Sequence, residues 1–314
     1  MKKKPCILVA GSINMDLTLY AAQLPLPGEN IIAETYHYSA GGKGANQAAA
    51  AALLGADAYF SGKVGEDDNG RRLEAGLEKF GVHTQGILRD PHAPTGLAAI
   101  LVEEGGKNRI LVYPGANMRL SSADVIPLIE KVHPDALILQ FEVPVRTVIE
   151  CCQFAQTLNI PVVVDAGPAQ AFPLEQLTDV LILSPNETET LALCGIMPDT
   201  EEKALQAARI LMERTNARYV IIKCAERGAY VYDGHHLAKN YPAIPVDAVD
   251  STAAGDAFMA AVTIKYLQTA DIAAAVTYAN YVGALTVTCP GAQASLPDAL
   301  EVDRFIVQRS SITL

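Results

Sequence analysis

A chain of 314 residues is long enough for one large α/β domain or two small ones. Half of it is hydrophobic and only 19% is charged, which marks a folded chain and not a disordered one. The 35 acidic and 24 basic side chains leave a formal net charge of -11. That balance argues against a nucleic-acid or anionic-membrane surface, but a glycine loop, a helix start or a metal ion could still hold a small polyanion.

Cys6, Cys151, Cys152, Cys194, Cys224 and Cys289 contain no C-x-x-C pair and read as the reduced thiols of a cytoplasmic protein. The start, Met1 to Lys4, is basic, but the apolar run after it is too short for a secretory core. No stretch has the length of a membrane span.

Residues 6–11 read as a first buried strand, followed by a turn carrying Asn14 and Asp16. Asp16 interrupts the apolar stretch Met15 to Leu19, so it either caps the turn or faces a ligand. A rigid turn, Leu24 to Glu29, leads to a strand over Ile31 to Tyr38. Gly41-Gly42-Lys43-Gly44 then opens a helix from about Ala45 to Leu54, alanine-rich and therefore buried on most sides. These glycines allow close backbone approach, and their spacing matches neither a nucleotide P-loop nor a dinucleotide fingerprint. Asn46 can both donate to and accept from a polyol. Lys43 is either a solvent-facing lysine or, with Asn46 one turn along the same face, part of a site.

A strand over Ala58 to Gly62, an acidic loop with no assigned chemistry and an amphipathic helix over about Arg71 to Phe80 follow. Thr95 to Glu103 and Arg109 to Tyr113, around Glu104 to Asn108, read as a β-hairpin. Together with Ile31 to Tyr38 it breaks the α/β alternation and predicts a small projecting sheet. Its strands carry apolar residues on more than one face, which a lone lid cannot hide.

From Ser121 the rhythm is regular, with helices over 121–132, 145–158 and 205–215 and strands over 136–140, 161–165, 180–183, 219–223, 230–232 and 246–249. This predicts a mostly parallel sheet covered on both sides, with ligands beyond the carboxyl ends of its strands. The polar residues at those ends are Glu142, Asp165, Asn186, Glu189 and Lys223. Asp165 either caps the next turn or belongs to the site. Asn186 and Glu189 have capping-box spacing. Asp250 to Asp256 then runs into an apolar segment through Leu267, and a second apolar helix covers Ile272 to Leu285. Gly255 falls at a helix start, where unpaired N–H groups form an anion site. Asp256 is either an acidic first-turn residue or a base poised beside that site.

Asp250-Ser251-Thr252-Ala253-Ala254-Gly255-Asp256 resembles the D-T-x-A-A-G-D signature of the phosphofructokinase-B (PfkB) family of carbohydrate kinases. Gly41 to Gln47 resembles that family's N-terminal glycine signature, and Asn186 to Glu189 its central N-x-x-E motif. The three recur in the family's order over essentially the whole chain. The resemblance implies one kinase domain over 1–314 with the ribokinase-like fold, a three-layer α/β/α arrangement around a mostly parallel sheet. A lid sheet would be drawn from about 15–40 and 95–113, and would often be a homodimer contact. It implies ATP-dependent phosphorylation of a hydroxymethyl group, with the 5-hydroxyl of D-ribose as first candidate. Deoxyribose, another sugar or a nucleoside are the rivals. From a different class comes a non-catalytic sugar-binding protein, against which the presence of Asp256 speaks.

By the same resemblance Asn14, Asp16, Gly42, Lys43, Asn46 and Glu142 contact the sugar. Asp256 is the base, beside the backbone N–H groups of Ala253, Ala254 and Gly255. Asn186, Lys223, Ala225, Gly228 and Asn280 line the nucleotide, with Glu189 holding Mg²⁺ through water. Asp250 and Thr252 hold a K⁺-like ion together with Thr286, Cys289, Gly291 and Ser295, mostly through backbone carbonyls. Two positions depart from the family pattern. Asp165 opens the segment that matches N-P-A-P-A, adding a negative charge, and Ala225 replaces the first glycine of a [TK]-x-G-x-x-G turn.

Overall fold

The computed structural model describes residues 4–105 and 107–312. Met1 to Lys3 of the basic start and Gly106 of the hairpin loop lie outside the described residues. Alternation within β1 (Cys6–Ala10) sets the layering, because Ile7 and Val9 pack into one core while Leu8 and Ala10 pack into another. A strand dry on both faces must lie inside a sheet covered on each side.

The next elements are β2 (Asn14–Ala21), β3 (Thr35–Gly41), α1 (Lys43–Leu53), β4 (Asp57–Gly65), α2 (Asp68–Lys79) and β5 (His83–Asp90). After β6 (Gly96–Glu103) and β7 (Asn108–Tyr113) come α3 (Ser122–Val132), β8 (Ala136–Gln140), α4 (Val145–Thr157), β9 (Val162–Asp165) and β10 (Ile182–Ser184). Then follow α5 (Glu187–Cys194), α6 (Glu201–Thr215), β11 (Tyr219–Lys223), β12 (Ala229–Tyr232) and β13 (Ala238–Tyr241). The chain closes with α7 (Ala254–Thr269), α8 (Ile272–Thr286) and α9 (Ala299–Ile312).

The central sheet has the order β13-β12-β11-β10-β9-β8-β1-β4-β5. It is parallel from β11 to β5, and β12 and β13 add an antiparallel edge. Helices α1, α7 and α8 cover one face and α3, α4 and α6 the other, giving three α/β/α layers. The smaller sheet, β3-β2-β6-β7, forms the lid. All of β7 is exposed, and Tyr36, Tyr38, Ile110, Leu111, Val112 and Tyr113 stand in solvent.

Four expectations need correcting. Asn14 and Asp16 lie on a strand and not in a turn, because β2 pairs with both β3 and β6 and so carries the acid into the lid sheet. The strand expected from Ile31 begins at Thr35 and runs into Gly41. Residues 246–249 form no strand, since the N–H groups of Val249 and Asp250 both bond the Val287 carbonyl at the end of α8 and leave the sheet. Finally, β5, β13 and α9 have no counterpart in the sequence reading; β5 is an edge strand whose His83, Gln85 and Arg89 break the apolar pattern.

Candidate active site

The lid strand β2 and the glycine loop before α1 meet at one end of the site. Asp16 is 8% exposed, and its carboxylate takes no hydrogen bond among the described residues. The carboxylate fills the space over Gly41 on the neighbouring strand, where a Cβ would lie 2.1 Å from Asp16 Oδ2. Burial, then the charges of Glu142 and Asp256, push the Asp16 carboxyl up to about 7. Asn46 donates its amide to Asp256 Oδ2 at 2.9 Å, while its own Oδ1 is buried without a donor. Buried acceptors left dry are costly unless a ligand supplies the hydrogen bond. Asp16 and Asn46 together are therefore suited to a molecule rich in hydroxyl groups.

Asn14 is fixed by Asn117, whose Nδ2 donates to Asn14 Oδ1 at 2.7 Å and to the Ile13 carbonyl at 3.2 Å. Asn117 Oδ1 in turn accepts from the Ile13 N–H at 3.0 Å. Gly42 has φ of 89°, and a side chain there would meet the Asn14 backbone at 2.8 Å. Glu142 Oε2 accepts from the Ser12 hydroxyl and from the Lys43 N–H, so one of its oxygens is committed to holding the glycine loop.

The start of α7 forms the middle of the site. Ala253 caps it at φ 61°, a left-handed conformation that costs a non-glycine residue free energy and collects at functional sites. The Ala254 N–H reaches back to the Ser251 carbonyl at 3.3 Å. Those of Ala253, Gly255 and Asp256 have no hydrogen-bond partner among the described residues. Of the three N–H groups expected from the sequence, those of Ala253 and Gly255 are unpaired and that of Ala254 is partnered, while the Asp256 N–H is a further unpaired donor. Burial raises the Asp256 carboxyl; Lys43 opposes that rise, Asp165 adds to it, Asn46 opposes it and Glu142 adds to it. A buried carboxylate with a raised pKa beside unpaired N–H groups can accept a proton while those groups hold developing negative charge.

Beyond α7 lies a cavity of about 810 Å³. Ala243, Ile244, Pro245, Val246 and Val287 give it an apolar wall, while Asn186, Lys223 and Ala253 to Asp256 give it a polar floor. Lys43, expected at the sugar, also lines this cavity, with Nζ 3.1 Å from Asp165 Oδ2 and 3.6 Å from Asp256 Oδ1. Burial alone would lower the Lys43 pKa, but Asp165, Asp256, Glu189 and Glu142 hold it well above the usual lysine range.

Ala225 has φ of 46°, so the departure from glycine keeps a left-handed turn. Gly228 has φ of 93° and sits against the Tyr241 carbonyl, which a Cβ would meet at 2.0 Å. Asn280, expected to edge a base, spends its Nδ2 on the carbonyls of Tyr241 and Pro242, both at 3.0 Å. It holds that wall in place, and Oδ1 is the atom left to address a ligand. Asn186 and Glu189 form the capping box of α5, Glu189 Oε2 accepting the Asn186 N–H at 2.6 Å. Glu189 Oε1 points towards Gly167, where a Cβ would meet it at 2.4 Å.

Asp250 ties two loops together: Oδ1 accepts from the Thr252 N–H and hydroxyl, and Oδ2 from the Gly291 N–H at 2.8 Å. The Thr286 hydroxyl bonds the Val282 carbonyl, the Ser295 hydroxyl bonds the Ala292 carbonyl, and Cys289 is exposed. Among the described residues no group of three or more His, Cys, Asp or Glu side chains could hold a metal ion.

Sequence reasoning missed Asn117, Ser12 and the part played by Gln47. Gln47 lies inside the glycine signature, and its Nε2 reaches both Asp165 Oδ2 at 2.9 Å and Asp256 Oδ1 at 3.2 Å. Asn117 gave no signal, because it sits in a short 3₁₀ turn 103 residues from the asparagine it holds.

A buried carboxylate at a glycine-broken helix start, set between unpaired acceptors and a cavity floored with lysine and free N–H groups, fits a phosphotransferase acting on an alcohol. The profile of the pfkB family carbohydrate kinases matches residues 4–299, and the chain belongs to that family. It is 36% identical over 302 residues to the bifunctional ribokinase/ribose-5-phosphate isomerase A of Fructilactobacillus sanfranciscensis, covering 95% of this chain but only 55% of that protein. It is 33% identical over 302 residues to the deoxyribokinase of Salmonella typhi, covering 96% and 98% of the two chains. The structure of Arabidopsis thaliana ribokinase complexed with ribose and ATP superposes with a TM-score of 0.89 at 31% identity, covering 96% of this chain and 99% of that one. This protein is thus a carbohydrate kinase of the ribokinase type.

Proposed function

We propose that this kinase transfers the γ-phosphoryl group of ATP, in line, to the 5-hydroxyl of D-ribose. The observation that carries the reading is Asp256, 5% exposed, bonded to Asn46 and adjoining both the dry acceptors and the unpaired N–H groups of α7. In the proposed mechanism Asp16, Asn14 and Asn46 orient the sugar, and Asp256 takes the proton of the attacking hydroxyl. The N–H groups of Ala253, Gly255 and Asp256 hold the transferring phosphoryl, with Lys43 and Lys223 beside them. The apolar wall and the Asn280 carboxamide would receive the base.

Ribose is favoured over deoxyribose by the acceptors at the sugar end. Two oxygens of Asp16 and one of Asn46 are without donors. A sugar lacking one hydroxyl leaves one of them dry, which is an effective way for a site to reject an analogue. A relative that phosphorylates deoxyribose is equally similar in sequence, so one panel decides: ATP consumption with ribose, deoxyribose, fructose, adenosine and pseudouridine. Ribose should show the highest kcat/KM, and turnover of any other member far above ribose overturns the assignment.

Glu189 and Asn186 suit Mg²⁺ held through water, and the ion would neutralise phosphate charge. The carbonyls of Thr286, Cys289, Gly291 and Ser295, next to Asp250, suit a K⁺ ion. We further infer one kinase domain over residues 1–314 that assembles as a homodimer through the lid, supported by Tyr36, Tyr38 and the fully exposed β7. Sedimentation showing a fully active monomer at micromolar concentration would refute the dimer.

A further inference from the structure

Asp165 is not part of the proposed transfer, yet it is a fully buried carboxylate that pairs with two lysines. It is 0% exposed, and three donors, two from α1 and one from β11, converge on it. Its Oδ1 accepts from Lys223 Nζ; its Oδ2 accepts from Lys43 Nζ at 3.1 Å and Gln47 Nε2 at 2.9 Å. Two of these donors are shared with the base, since Gln47 Nε2 lies 3.2 Å and Lys43 Nζ 3.6 Å from Asp256 Oδ1. Gln47 is itself fixed, its Oε1 accepting from Gln140 Nε2 at 2.6 Å. Lys223 Nζ lies at the start of α7, 3.9 Å from where a Gly255 Cβ would stand.

A carboxylate only accepts, at about four lone-pair sites, so it can serve three donors at once. The asparagine that the resembling family carries here could not, because its NH₂ group would face at least one of them. We propose that Asp165 is a positioning residue that anchors Lys43 and Lys223 as a two-lysine clamp for the transferring phosphate and keeps Lys43 from closing onto Asp256. The role rests on the reading of Asp256 as base. Asp165 touches no substrate; it acts through the lysines.

The variant D165N removes the charge and leaves the volume. Without its anchor Lys43 turns to its next carboxylate, Asp256, and the base gains a cationic partner while losing an anionic neighbour. Both changes favour the ionised form of Asp256. The groups facing Asp256 are Lys43, Asn46 and Gln47 from α1, Asp165 from β9, Glu142 after β8 and Asp16 from β2. Of these only Asp165 is altered.

Steady-state kinetics of the full chain from pH 5 to 9 supply the test, with ribose and MgATP as substrates. In D165N kcat should fall about tenfold to a hundredfold, the KM for ATP should rise and the KM for sugar should stay within about twofold. The acid limb of kcat against pH should move down by on the order of one pH unit. A purely structural role would lower the active fraction and leave that limb in place. Should D165N fail to fold, D165N/K223M removes the carboxylate together with one of its ammonium partners, and its acid limb is read against K223M alone. An unmoved limb in either background overturns the positioning role, as does a wild-type kcat. D256N is measured alongside: if it keeps more than about a tenth of kcat, the base reading falls and the positioning role with it. A large loss in D256N with an unmoved limb in D165N overturns the positioning role alone.

Discussion

Substitution of Asp16 by Asn should stabilise the ligand-free protein while abolishing sugar binding, and the gain should depend on pH. Burial, Glu142 and Asp256 raise this carboxyl from 3.8 to about 7, which corresponds to roughly 4 kcal/mol of cost for holding it ionised in the folded chain. A carboxyl raised in the folded state keeps its proton longer there than in the unfolded chain. Between about pH 4 and pH 7 the folded state therefore binds more protons, and wild-type stability falls as pH rises. An asparagine never ionises and escapes that loss. D16N and wild type should therefore unfold alike near pH 4, diverge through pH 5 and 6, and differ by up to about 4 kcal/mol above pH 7, on the order of 5–10 °C in Tm. Calorimetric scans of both proteins without ligand, from pH 4.5 to 8.5, measure the difference. Ribose added at millimolar concentration should raise the wild-type Tm only. A gap that stays constant with pH, or a D16N protein less stable than wild type at pH 8.5, would refute the argument that Asp16 is held ionised at a cost recovered from the sugar.

D256N should lower kcat by about two to four orders of magnitude while sugar and ATP still bind, as read by stopped-assay kinetics beside isothermal titration. Asn117→Ala frees the Asn14 side chain and the Ile13 backbone, so the KM for sugar should rise about tenfold with a smaller change in the KM for ATP; equal changes in both would point to general destabilisation. Replacing Na⁺ by K⁺ should raise kcat, because an ion among the 286–295 carbonyls would fix the loops joined by Asp250 next to α7, and equal rates in K⁺, Na⁺ and ion-free buffer would remove that part of the mechanism.

The sheet and its helices were legible because buried parallel strands are short, β-branched and bounded by polar turns, as Ala136 to Gln140 and Tyr219 to Lys223 show to the residue. Strands at edges were not. β5 alternates polar and apolar residues irregularly, and β13, AKNY, has only one apolar residue besides its tyrosine. Asn14 and Asp16 were legible as site candidates but not as strand residues, since β2 owes its conformation to partners around 20 and 80 residues away. Lys43 shows the same limit within the site. Its place in the glycine signature says that it belongs there, but the carboxylates that hold its ammonium come from β9 and α7. Asn117 and Gln47 act through side-chain bonds over 103 and 118 residues, respectively, and no local pattern announces such bonds.

The carboxylates of the site differ most in how far the protein itself satisfies them, and that grading assigns their work. Asp165 is saturated by two lysines and a glutamine, and burial, which would raise its pKa, is outweighed by Lys223 and Lys43. A group so fully paired has no capacity left for a ligand and serves as counter-charge. Glu142 and Glu189 each commit one oxygen to a backbone N–H, which fixes a loop or a helix start and leaves the second oxygen for water or substrate. Asp256 accepts from Asn46 and Gln47, enough to fix its orientation, while burial keeps its pKa raised and so keeps it basic. Asp16 receives nothing from the protein and bears the full cost of burial, so a ligand that donates hydrogen bonds to it recovers the most. The two ends of this series are Asp165, with three internal donors, and Asp16, with none among the described residues. A charge change at Asp165 should therefore be felt in catalysis and one at Asp16 in binding, although the two residues have the same side chain and belong to one site.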